Sequence, residues 1–143
     1  MSTALLVYLL TPLPGVVVIL TRLRLAGPQS KSGRLEISPR VLNVHTVVGL
    51  LAGATWIGFL LTGIGSEHKG NPIVGVVSLA MLWITAVTGL MILARWIRPR
   101  GKRAAQPVLE DSWSRGPWLS ILAHGGLLVL VLFFTWAYLV TAV

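Results

Sequence analysis

Two histidines inside long apolar stretches are the residues of this chain best suited to chemistry. His45 lies five residues after Arg40, and His124 lies six residues after Trp118, which is a suitable side chain for a membrane interface. If both stretches are helices that enter from the same side, a rise of about 1.5 Å per residue places the imidazoles roughly 7–9 Å deep. They would then lie at one level on different helices. Ionisable side chains at such a depth are expected to be functional.

Two imidazoles at one depth are the axial ligands that a b-type haem requires, since its iron takes one nitrogen from each face. The flat macrocycle also needs small residues next to these ligands. Gly49 and Gly53 share a helical face with His45, and Gly125 follows His124 directly. We therefore predict that His45 and His124 ligate a haem b, with Gly49, Gly53 and Gly125 beside it.

The haem propionates would reach the nearer membrane interface, where the sequence places cations. Arg40 precedes the stretch that contains His45, while Arg98 and Arg115 lie between the last two apolar stretches. A guanidinium pairs with a carboxylate through strong, charge-assisted hydrogen bonds. We therefore predict that Arg40 and Arg115, together with Arg98, pair with the propionates.

The same residues are compatible with other interpretations. Gly49-x-x-x-Gly53 is also a helix-packing motif, and a second set of small residues in the third stretch requires only close helix contact: Gly75, Ser78, Thr85 and Gly89. His45 could instead form a structural hydrogen bond, for example with Ser120 or Thr46. A histidine can also ligate the magnesium of a chlorophyll singly, and a quinone is a further candidate ligand.

Composition indicates which elements position these residues. Of the 143 residues, 55% are apolar and 11% are charged, whereas about 25% are charged in a typical soluble domain. A membrane-spanning helix needs about 20 predominantly apolar residues. Four stretches qualify, at residues 4–21, 41–64, 72–97 and 117–143. The chain is therefore predicted to be an all-α integral membrane protein with a single domain of four transmembrane helices.

The first stretch contains Pro12 and Pro14, and a proline interrupts the hydrogen bonds of a helix. A cleaved signal peptide carries cations before its apolar core, but here Arg22 and Arg24 come after it. We predict a retained, kinked helix whose N-terminus is on the outer side of the membrane.

The distribution of charge predicts the orientation of all four helices. Segments 22–40 and 95–116 contain eleven of the twelve lysines and arginines, and the connection 65–71, which includes His68, contains only Lys69. The positive-inside rule makes the side with the two basic segments cytoplasmic. We predict an up-down bundle in a bacterial cytoplasmic membrane, with both termini outside. Its basic loops would face anionic lipid rather than nucleic acid.

Several classes of function are excluded or disfavoured by residues that the chain lacks. It has no cysteine, which excludes disulfides, thiolate-ligated clusters and covalently attached haem. None of its four carboxylate side chains lies within a predicted span, which argues against a proton pump or an ion-coupled transporter.

Three short motifs resemble four-helix membrane cytochromes of the b type: His45-Thr-Val-Val-Gly49, Thr88-Gly-Leu-Met-Ile-Leu-Ala-Arg95 and His124-Gly-Gly. The likeness covers residues 41–143. It implies one or two non-covalent haems b, His45 and His124 as the axial pair, and electron exchange with a quinone or a partner protein.

Members that carry electrons across the membrane have four axial histidines, whereas this chain has two in its spans. We therefore predict a single-haem electron-transfer subunit of a larger respiratory or photosynthetic complex. The alternative is a cofactor-free accessory subunit of such a complex.

Overall fold

The computed structural model describes residues 2–26, 38–63, 70–97 and 118–143. These residues form five helices: α1 (Thr3–Leu10), α2 (Pro12–Ala26), α3 (Pro39–Gly63), α4 (Pro72–Ile97) and α5 (Trp118–Leu139). Four helical stretches are long and apolar enough to cross a membrane: Thr3–Leu23, Pro39–Gly63, Pro72–Ala94 and Ser120–Leu139. The predicted all-α class is confirmed, and these four stretches support the prediction of an integral membrane protein.

The first span is divided at Thr11, which separates α1 from α2. Pro12 and Pro14 have no backbone N–H, so two carbonyl groups one turn earlier receive no helical hydrogen bond from them. Thr11 itself keeps helical dihedral angles, with φ −54° and ψ −35°. Its N–H donates to the carbonyl of Val7 at 3.0 Å. The chain therefore stays nearly helical through the interruption that the prolines cause.

The fourth span ends at Leu139, four residues before the end of the predicted stretch. Thr141 adopts a positive φ of 55°. The N–H of Ala142 donates to the carbonyl of Ala137 at 2.9 Å, and the N–H of Thr141 donates to the carbonyl of Tyr138 at 3.0 Å. This pair of bonds is the Schellman motif, which satisfies the last carbonyl groups of a helix and ends it.

From α2 onwards each helix packs against the next, and both α1 and α2 also contact α5. Two hydrogen bonds link opposite ends of neighbouring helices. Arg22 near the end of α2 donates to the side chain of Asn43 near the start of α3, at 2.8 Å. At the other end of α3, the Tyr8 hydroxyl of α1 donates to the carbonyl of Leu60 at 3.4 Å.

An aromatic cluster fills the core at the end of the molecule where α3 ends and α4 begins. Trp56 is buried, and its ring centroid lies 5.3 Å from those of Phe59 and Phe134. Tyr138 packs on Phe59 and donates its hydroxyl to the carbonyl of Pro72 at 2.8 Å. Buried polar side chains lie mainly towards the opposite end of the helices, and among the described residues they are Thr21, His45, Ser78, Thr85 and His124.

Candidate functional site

His45 of α3 and His124 of α5 lie next to each other inside the protein. Their ring centroids are 6.2 Å apart, and the ring planes are inclined by 31°. His45 is completely buried, and His124 is 6% exposed. The structure thus brings together, at one level, the two histidines that the sequence places on separate helices.

Helix α4 orients the imidazole of His45. Its Nδ1 lies 3.1 Å from the carbonyl oxygen of Thr85 and 3.3 Å from the hydroxyl oxygen of Thr88. A carbonyl can only accept a hydrogen bond, so Nδ1 of His45 is the protonated nitrogen and donates to it. The Thr88 hydroxyl donates to the carbonyl of Ile84 at 2.8 Å. Its oxygen is therefore a second acceptor for the Nδ1–H group of His45.

The imidazole of His124 is oriented by its own helix. Its Nδ1 lies 2.8 Å from the carbonyl oxygen of Ser120, one turn earlier on α5. The same argument assigns the proton to Nδ1, which leaves a lone pair on Nε2 in the neutral ring. Both histidines therefore have the tautomer of a metal ligand whose Nδ1–H is held by a carbonyl group.

The bond between His45 and Thr85 crosses a helix interface, as in the structural alternative that the sequence raises, but its acceptor lies on α4 and is neither Ser120 nor Thr46. The hydroxyl of Thr46 instead donates to the carbonyl of Leu42 within α3, at 2.8 Å.

Nε2 of His45 is buried and has no hydrogen-bond partner within the described part of the chain. Leaving such an atom unsatisfied costs about 1–3 kcal/mol. A histidine nitrogen lies about 2.0–2.1 Å from a metal that it ligates and about 1.1 Å from its own ring centroid, given ring bonds of about 1.33 Å. Two imidazoles on opposite sides of one metal ion therefore have centroids roughly 6.2–6.4 Å apart. The observed separation of 6.2 Å is close to this value.

Gly89 of α4 forms a wall against which both rings lie. A Cβ atom on Gly89 would stand 2.7 Å from Cδ2 of His124 and 3.1 Å from Cε1 of His45. From the sequence, Gly89 is predicted only to act in helix packing, together with Thr85. Its depth nevertheless matches that of the histidines, because Gly89 lies six residues from Arg95 at the basic end of the third span.

The glycines predicted to lie beside a cofactor have different surroundings. A Cβ atom on Gly49 would stand 2.6 Å from Val18 and 3.0 Å from Thr85, so Gly49 allows α2 and α4 to approach α3. A Cβ atom on Gly53 or Gly125 would meet no atom within 4 Å. Gly49 thus acts in helix packing, whereas open space adjoins Gly53 and Gly125.

Of the three arginines predicted to pair with the haem propionates, only Arg40 lies in the described part of the chain. Arg40 is exposed in the first turn of α3, five residues before His45. Arg98 and Arg115 lie outside the described residues. The structure adds Arg22 of α2, which the sequence analysis used only to judge orientation and which bonds to Asn43 near the same end of α3.

No known protein family, curated protein or solved structure matches this chain. The chemistry of the site must therefore be inferred from the side chains that form it. Within the described part of the chain, no group of three or more His, Cys, Asp or Glu residues could hold a metal ion. Two imidazoles suit a planar cofactor that brings in-plane nitrogens of its own, which is the ligation of a haem.

Proposed function

We propose that this protein is a membrane-embedded electron-transfer subunit that holds one haem b between His45 and His124. The observation that carries the proposal is the pair of buried imidazoles, 6.2 Å apart between ring centroids. Each ring is anchored through Nδ1 to a backbone carbonyl group. Such anchoring directs Nε2 towards a ligand and increases its basicity.

Within this proposal each residue has a definite role. His45 and His124 supply the axial nitrogens, and the carbonyl groups of Thr85 and Ser120 fix their tautomers. Gly89 leaves room for both rings. The haem supplies one-electron redox chemistry, and its potential is set by ligands, burial and hydrogen bonding. Three arginines are available to its propionates at the basic interface: Arg40, Arg98 and Arg115.

The proposal includes an up-down bundle with both ends of the chain on the outer side of a bacterial cytoplasmic membrane. The contacts between the start of one helix and the end of the next support alternating directions. Within the described residues, every arginine is near the same end of the helices: Arg22, Arg24, Arg40 and Arg95. Positive residues favour the cytoplasmic side, so the haem would lie in the cytoplasmic leaflet. Anionic lipid would face the basic loops.

The electron partners would be other membrane subunits of a respiratory or photosynthetic complex, with a quinone as a further candidate.

The second candidate function is that of a cofactor-free accessory subunit. It is favoured by the contacts of Gly49 with Val18 and Thr85, because close packing through glycine serves structure alone. The buried aromatic cluster around Trp56 likewise requires no ligand for its packing.

An absorption spectrum of the purified protein distinguishes the two functions. The protein is expressed with haem supplied, and reduced-minus-oxidised spectra are recorded for the wild type and for His45→Ala and His124→Ala. His68→Ala is the matched control, because His68 lies outside the predicted spans. We expect haem bands in the wild type and the control, and their loss in both other variants.

A wild-type protein without haem bands would favour the accessory subunit. Haem bands that persist in His45→Ala or in His124→Ala would overturn the assignment of that residue as an axial ligand.

A further inference from the structure

A second polar cluster lies at the arginine end of the molecule, where α2 ends and α3 begins. Nη1 of Arg22 donates to Oδ1 of Asn43 at 2.8 Å. Arg40 lies one turn before Asn43 on α3, on the same face of the helix. Arg22 is half-buried, whereas Asn43 and Arg40 are exposed. An arginine bonded to Asn43 and a second arginine one helical turn from it thus lie at the edge of the apolar region.

The position of Arg22 is unusual for a charge. It lies within the stretch Thr3–Leu23 that is apolar enough to cross a membrane, and Asn43 lies within the span that follows. No aspartate or glutamate side chain occurs among the residues that the structure describes. The bond to Asn43 uses one N–H group of a guanidinium that has five. A cation at the end of an apolar span pairs with polar groups or extends to the lipid headgroups.

We propose that Arg22 and Arg40 bind the phosphate of an anionic phospholipid, with Asn43 as the positioning residue that holds Arg22. The planar guanidinium pairs with phosphate through two parallel hydrogen bonds. The amide of Asn43 restrains the Arg22 side chain without neutralising its charge. Lipid phosphates are present at the depth where an apolar helix reaches the interface, and the cytoplasmic leaflet is rich in anionic lipid. This site is built from helices. It rests on the proposed cytoplasmic orientation of this end but not on the haem, and it assigns Arg40 to lipid rather than to a propionate.

The test measures lipid retention and thermal unfolding of the full chain in detergent. Phosphatidylglycerol, phosphatidylcholine and inorganic phosphate are added separately, and bound lipid is counted by native mass spectrometry. We expect phosphatidylglycerol to bind and to raise the unfolding temperature. Arg22→Gln should weaken its retention by about tenfold or more, since a hydrogen bond to a charged group contributes strongly to binding. Arg103→Gln removes the same charge from the segment between the third and fourth spans and should retain the lipid.

Three further variants make the result specific. Arg22→Lys keeps the positive charge but loses the planar guanidinium that can form two parallel hydrogen bonds with phosphate. Retention of phosphatidylglycerol by this variant should therefore fall between that of the wild type and that of Arg22→Gln. Asn43→Ala should weaken retention through loss of positioning, and Arg40→Gln through loss of the second cation. Arg22→Lys also serves as the informative variant if Arg22→Gln does not fold.

Equal retention of phosphatidylcholine, equal losses in Arg103→Gln and Arg22→Gln, or full stabilisation by inorganic phosphate alone would each overturn the proposal. The lipid-retention measurement is repeated in a His45→Ala background, which tests the lipid site independently of haem binding. Retention that still depends on Arg22 in this variant supports a lipid site whether or not haem binds. An effect of Arg22 that occurs only in haem-loaded protein would assign Arg22 to a propionate and overturn the lipid site.

Discussion

Gly89 of α4 and His124 of α5 are in such close contact that a Cβ atom on the glycine would lie 2.7 Å from Cδ2 of the imidazole. The same Cβ atom would lie 3.1 Å from Cε1 of His45 on α3. One position of α4 therefore limits the space available to both rings. A helix that carries neither histidine thus limits how closely the two rings can approach each other.

The substitution Gly89→Ala should therefore disrupt the histidine pair. A methyl group 2.7 Å from a ring carbon requires a shift of the ring or of a helix, and overpacking of this kind costs about 1–3 kcal/mol. We expect a lower unfolding temperature and loss of bound haem. Gly126→Ala is the matched control, because a Cβ atom there meets nothing within 4 Å. Full haem binding by Gly89→Ala would show that the contact does not restrict the site.

The two glycines of Gly49-x-x-x-Gly53 should respond in opposite ways to alanine. Gly49→Ala places a methyl group 2.6 Å from Val18 and 3.0 Å from Thr85, so it should destabilise the protein by about 1–3 kcal/mol. Gly53→Ala meets no atom, and alanine is favoured over glycine in a helix by up to about 1 kcal/mol. Thermal unfolding in detergent measures both. Equal destabilisation would mean that the pair acts as one packing motif.

The end of α5 offers a stabilising substitution. Thr141 has a φ of 55°, a left-handed conformation that costs a residue with a Cβ atom about 1–2 kcal/mol. Part of this cost is offset by the greater flexibility of glycine in the unfolded chain. Thr141→Gly should therefore stabilise the protein by about 1 kcal/mol, seen as a higher unfolding temperature. Val140→Gly, at the neighbouring position without a positive φ, should give no gain, and a gain of equal size there would contradict the explanation.

The spans could be predicted from the sequence because an apolar stretch of about 20 residues is a strong and local signal. The equal depth of His45 and His124 could be predicted for a related reason, since the rise of a helix is constant. Both inferences use distance along the chain alone. Neither depends on which side of a helix faces its neighbours.

The approach of the two rings could not be predicted in this way. Leucine and valine occur on every side of α3 and α5, so hydropathy does not define how far each helix is rotated about its axis. The roles of the glycines could not be assigned for the same reason. Gly49 resembles a cofactor neighbour in the sequence, and only the position of Val18 shows that it packs against another helix.

Thr88 should tune the redox potential of the proposed haem through His45. The Thr88 oxygen lies 3.3 Å from Nδ1 of His45 and acts as a second acceptor beside the carbonyl of Thr85. Acceptors on Nδ1–H make an axial imidazole more electron-rich, which favours the oxidised iron.

Thr88→Val removes one acceptor and preserves the shape of the side chain. Only the difference in the strength of this bond between the two oxidation states shifts the potential, so the midpoint potential should rise by less than the roughly 60 mV that a full bond of about 1.5 kcal/mol would give. Thr88→Ser retains the hydroxyl and should keep the wild-type potential in a redox titration followed by absorbance. A fall in the potential of Thr88→Val, or an equal rise in Thr88→Ser, would exclude the hydroxyl as the cause.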